Sequence, residues 1–196
     1  GYSNEASGLA SSAVGFRNKA ASENASAVGY GNNANALAAS AVGYNNTAGG
    51  VGSSTIGYNN TATNENASAF GYGNTAGGLA SSAFGFSNTA SGDNANAFGY
   101  NNIASGSKSN VFGTGNTVSG SSSNAVGTAN EVAAENSTAI GNNNTISSGA
   151  ENSAALGNNI SISLKDSVAL GNNSTATAIN SVTGNSSYTC LLYTSP

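Results

Sequence analysis

Apolar and small residues alternate along this chain in a register that returns every 14 residues. Val14, Val28, Val42, Ile56, Phe70, Phe84, Phe98, Phe112, Val126 and Ile140 each stand directly before a glycine, from Gly15 to Gly141, and almost always directly after an alanine. With each glycine taken as position 0, position −4 is Ser or Ala and position −2 is Ala except at Thr55 and Val111. Positions −3, −1 and +1 interleave with these and carry Ser or Asn, then Val, Ile or Phe, then often an aromatic ring. Alternation with period two over about five residues predicts a strand. A second column at +5, alanine from Ala20 to Ala104 and then Val118, Val132 and Ile146, predicts a shorter strand. Position +3 is asparagine from Asn18 to Asn144, which predicts a turn ladder: Asn tolerates left-handed backbone, and its amide can bond to the next repeat.

Two short strands and two turns in 14 residues describe one coil of a parallel β-solenoid. Such a coil buries nothing alone and is stable only when stacked on its neighbours at about 4.8 Å. The glycine column then marks a place where a side chain would clash or the dihedral is unusual. Helix is excluded by the period of two and by the abundance of glycine and asparagine. From Gly141 to Gly157 the spacing is 16, with the extra residues around Ser147–Ala150, in the turn after the short strand, where an insertion costs least. Ile160, Ile162 and Leu164 follow in alternation and predict a wider coil.

Which face points inward is open at this stage. If −4, −2, 0 and +5 point in, the roll is thin and the −1 column, extended by Leu156 and Leu170, lies outside as an apolar stripe larger than a monomer normally exposes. The opposite assignment puts this column in the core and leaves alanine and glycine at an interface. Either way the chain is expected to be a weak or absent monomer, and side-by-side packing of identical rolls covers the stripe.

Composition removes most chemistry. Charged residues make up 6% of the chain, the net charge is −4, and histidine, methionine and tryptophan are absent. Arg17, Lys19, Lys108 and Lys165 form no basic patch, which excludes nucleic acid as a partner. There is no metal or cofactor motif and no nucleophile and base set, so the chain reads as a non-enzyme. Gly29–Ala34 and Gly71–Ala76 match a loose nucleotide-binding pattern, but they are repeat columns with no helix after them. Position +1 is aromatic in eight successive repeats: Tyr2, Phe16, Tyr30, Tyr44, Tyr58, Tyr72, Phe86 and Tyr100. Self-stacking is the favoured reading of this column. An exposed ladder that engages sugar or protein surfaces, through Tyr30, Tyr44, Tyr58, Tyr72 and Tyr100, is the functional one. Residues 190–196 share nothing with the repeat and resemble the translation of a sequencing adapter, so Cys190 is not read as a disulfide or nucleophile.

The series Ser/Ala-x-Ala-x-Gly, with Ser167-Val168-Ala169-Leu170-Gly171, resembles the head repeats of trimeric autotransporter adhesins, over essentially Gly1 to Asn173. The resemblance implies a left-handed β-roll, a side-by-side homotrimer, and a place on the bacterial surface, with the parent anchored in the outer membrane by parts beyond this sequence. It implies head repeats over 1–165 and the start of a neck over 166–189. It further implies attachment to extracellular matrix proteins such as collagen, fibronectin or laminin, to cells, or to abiotic surfaces. A different class, the ice-binding solenoid, is suggested by threonine at +4 (Thr47, Thr61, Thr75, Thr89, Thr117 and Thr145), interrupted by Lys19, Asn33, Ile103 and Glu131. A spacer that binds nothing itself is a third reading.

Overall fold

The computed structural model describes residues 1–177 and the backbone of Thr189–Cys190. It divides into two units, Gly1–Asn101 and Asn102–Pro196. The connector expected beyond residue 177 and the tail reading of 190–196 lie outside the described residues, apart from that short strand, which pairs with Ser167–Val168.

Each unit is a parallel β-solenoid, and no helix occurs among the described residues. In the first unit the five-residue strands Ser26–Tyr30, Ser40–Tyr44, Ser54–Tyr58 and their equivalents pair in chain order, like residue on like residue: Val28↔Val42, Gly29↔Gly43, Tyr30↔Tyr44. Two-residue strands such as Asn33–Ala34 and Thr47–Ala48 build a second sheet in the same way. The second unit repeats the plan from Ile103–Ala104 and Asn110–Thr114 onward. The two extra residues before Gly157 are absorbed in a turn closed by Ala150 N donating to Ser147 O, so Thr138 pairs with Ala154 and Ile146 with Ile162. Ser167–Leu170 and Thr175–Ala176 stack as one further coil.

The structure closes the question of which face points in. Positions −4, −2 and +5 are buried, as at Ala25, Ala27 and Ala34, while the −1 column is on the outer face. Each coil of the first unit therefore encloses little more than alanines and one asparagine. In the second unit the interior is bulkier: Val111, Val118, Val132, Ile146, Ile160 and Ile162 are all fully buried. Of the bulky residues after Gly157, Ile160 and Ile162 are buried, whereas Leu164 is only half-buried.

Two sequence expectations need refinement. The left-handed turn residues are not the +3 asparagines but positions +2 (Asn45, Asn59, Ser87) and −5 (Asn24, Ala38, Asn66), with φ between +51° and +56° at these six. The +3 column instead points inward. Asn32, Asn46, Asn60, Asn74 and Asn88 are buried and replace an apolar core with a ladder of amides. The glycine column is not buried with the small face either, because its positive φ turns the strand there.

Candidate interaction face

The interior fixes what the exterior can present. Asn46 Nδ2 donates to Asn32 Oδ1 on the previous coil (3.0 Å), to Val42 O on its own coil (3.0 Å) and to Gly57 O on the next (2.7 Å). An amide has two N–H groups, so these three acceptors share them. The Oδ1 of Asn46 in turn accepts from the backbone N (2.9 Å) and Nδ2 (3.0 Å) of Asn60. Every polar atom of the amide is satisfied without water, as burial demands. In the second unit a further ladder runs through serine: Ser137 N donates to Ser123 Oγ (3.0 Å), Ser153 N to Ser137 Oγ (3.1 Å) and Ser167 N to Ser153 Oγ (3.0 Å).

With amides and alanines filling the inside of the first unit, and valines and isoleucines joining them in the second, the −1 side chains stand outside. At −1, Val14, Val28, Val42, Ile56, Phe112, Val126, Ile140, Leu156 and Leu170 keep between 36% and 59% of their surface exposed. Phe70, Phe84 and Phe98 are half-buried against one another, with ring centroids 4.7 and 4.9 Å apart. The structure thus brings the predicted column onto one face of the long-strand sheet in each unit. Exposed valines and leucines at these numbers are not scattered singles but, in each unit, a contiguous apolar patch.

The +1 rings also stand outside in the first unit, beyond the glycine that turns the strand. From Tyr2 to Tyr100 consecutive rings are stacked, with centroids 4.8 to 5.3 Å apart. Ring faces are therefore covered by their neighbours, and edges are what solvent meets. The column ends at the coil where the interior changes: +1 becomes Thr114 as +5 changes from Ala104 to Val118. Coils with an alanine interior carry a ring ladder outside, and coils with a valine or isoleucine interior do without it, which supports self-stacking as a main role. Replacing Tyr44 by Ala removes two stacks, to Tyr30 and Tyr58. At about 0.5–1.5 kcal/mol per aromatic pair, urea unfolding should show a loss of about 1–3 kcal/mol, and Tyr44→Phe should show almost none.

Sequence reasoning missed a second set of exposed apolar residues, Leu9, Leu37, Val51 and Leu79 in the turn before the long strand. They share position −6 with Glu23, Glu65 and Asp93, and reading that column down the repeat would have found them. Asp93 Oδ1 accepts from Leu79 N at 3.0 Å, which ties its turn to the same turn of the previous coil. Charge contributes little elsewhere: Lys19 and Glu5 form a half-exposed pair at 3.7 Å, and Arg17 sits 5.1 Å from the Phe16 ring centroid. Among the described residues no group of His, Cys, Asp or Glu is arranged to hold a metal ion.

Ser167, Val168, Ala169, Leu170 and Gly171, the expected neck motif, form the long strand of the last described coil and its glycine. Ala169 is buried and Leu170 exposed as in the coils before, while Val168 is exposed at a position that is half-buried in the preceding coils. Comparison with curated proteins gave no match. Comparison with protein families gave the YadA head domain repeat (2 copies), matched at residues 6–32, 20–46, 48–74, 76–102, 119–144 and 165–182, together more than half of the chain. Most coils of the repeat, with their inward alanines and outward apolar residues, fall within these matches, and the chain belongs to the YadA head domain family of trimeric autotransporter adhesins.

Proposed function

We propose that this chain is the head of a bacterial surface adhesin that works as a homotrimer, three rolls packed side by side through the −1 column. The observation that supports this is the exposed column itself, from Val14 to Leu170. Burying such a side chain stabilises by about 1.5–3 kcal/mol, so a column shared among three copies dominates assembly. The protein would reach the cell surface and be held at the outer membrane. Gly171 and the residues after it would pass the chains toward a stalk. The roll itself performs no catalysis in this reading.

Attachment then follows from repetition. Many equivalent coils on three chains multiply weak contacts into firm adhesion to collagen, fibronectin, laminin, cells or inert surfaces. Binding of the purified trimer to surfaces coated with each protein tests this, and retention on none of them would leave the spacer reading. The pair Val126→Glu and Ile140→Glu places charge on the outer face without touching the interior. Light scattering should then give the mass of one chain while far-ultraviolet circular dichroism stays unchanged. The ice-binding reading keeps one observation in its favour: Thr47, Thr61, Thr75 and Thr89 pair in register on the short-strand sheet. Thermal hysteresis by the purified chain would establish that activity, and its absence would remove it.

A further inference from the structure

The −1 column occurs in both units, but the aromatic +1 column is confined to the first, so assembly through −1 does not account for it. Stacking accounts for the rings, yet phenylalanine would stack as well, as Phe16 and Phe86 do within the same ladder. The hydroxyls need another reason. Tyr30, Tyr44, Tyr58 and Tyr72 form an unbroken tyrosine run with centroid spacings of 4.9, 4.9 and 4.8 Å. Among the described residues no side chain or backbone group hydrogen-bonds to these phenol oxygens. Beside them in the turn stand Asn45 and Asn59, both exposed. The long strands carrying the run hold no charged residue.

We infer that this row of phenol edges and turn amides is a linear binding strip for an uncharged, extended, β-linked polysaccharide lying along the roll. The inference rests on the adhesin reading and names a ligand class for it. Spacing selects the ligand. An extended β-linked glycan advances by roughly one coil spacing per sugar and turns over at each link, so its face repeats about every two coils and every second hydroxyl of the row meets an equivalent sugar. An extended peptide repeats its face every ~6.6 Å, two residues of about 3.3 Å, and falls out of step within a few coils. Because the ring faces are covered by stacking, recognition runs through hydroxyl and amide hydrogen bonds. Single bonds of this kind are weak, and four or more in series make the contact.

The variant Y30F/Y44F/Y58F/Y72F removes the hydroxyls and keeps the ladder. Wild type and variant are measured for retention on microcrystalline cellulose and on chitin, with soluble amylose, which does not run straight, as control. Wild type is expected to be retained on cellulose or chitin and not to bind amylose, and the variant to bind on the order of tenfold or more weakly. Its thermal midpoint and oligomeric mass should match wild type. Failure of wild type to bind either solid, or equal binding by the variant, would overturn the strip. The mass is read on the same samples: a monomer that still binds through the tyrosines defeats the trimer and leaves the strip standing, and a trimer that binds neither solid does the reverse.

Discussion

Gly57→Ala should unfold or strongly destabilise the coil that carries it, although alanine is the smallest possible addition. Gly57 has φ +121°, a backbone conformation that residues with a side chain rarely adopt. A Cβ built there would lie 2.1 Å from the carbonyl oxygen of Gly71 on the next coil and 3.1 Å from Asn60 Nδ2. The first neighbour is backbone and is held by the sheet, so neither partner can yield. Strained backbone alone costs of order 1–3 kcal/mol, and the clash must be relieved by separating two coils, so a loss of about 4 kcal/mol or more is expected. In a stacked array each coil is stabilised by its neighbours, so the damage should spread beyond one repeat. Urea unfolding followed by circular dichroism measures it. An unchanged midpoint would show that the glycine column is not a packing requirement.

The second large effect is expected at Asn60. Its Nδ2 donates to Asn46 Oδ1 (3.0 Å), Ile56 O (3.0 Å) and Gly71 O (2.8 Å), and its Oδ1 accepts from Asn74 N (3.0 Å) and Nδ2 (3.0 Å). Asn60→Ala leaves buried donors and acceptors unpaired on both sides, at about 1–3 kcal/mol for each group that finds no water, so a loss of about 3–5 kcal/mol is expected. Asn60→Asp is more telling because it is nearly isosteric. Its ionised carboxylate would face three oxygen acceptors in a dry interior, which raises its folded-state pKa above the unfolded value of about 3.9. Part of the deficit should therefore be absent below about pH 3.9 and accumulate as the pH rises above it. A deficit that does not change between pH 3 and pH 7 would contradict the buried-ladder geometry.

The parts of this fold that were legible in the sequence are those where one column has one physical cause. Glycine at position 0 is fixed by backbone clash and dihedral together, and the long strand follows from the alternation around it. The insertion before Gly157 was placed correctly because only a turn can hold it. Asn at +3 was recognised as a ladder but assigned the wrong backbone, because asparagine serves two purposes in this chain. At Asn45 and Asn59 it accepts left-handed φ, and at Asn46 and Asn60 it fills the core. One-letter composition does not separate these uses, although glycine at Gly31 and Gly73 in the +2 column was a clue to the first. Which side of the strand faced inward was not legible at all. Either alanine or valine can line a core, and the choice depends on how closely the two sheets approach. The link between an alanine interior and the aromatic ladder outside became visible only once both were known to lie on opposite faces of one strand.

The −1 column carries the central claim, that this head is built to be covered by its own copies. The direct test is the mass of the chain in dilute solution, by light scattering or native mass spectrometry. Three chains of 18.9 kDa moving as one, and separating when Val126 and Ile140 are both replaced by glutamate, is the result expected. A stable, folded single chain that keeps its −1 side chains in water would contradict it.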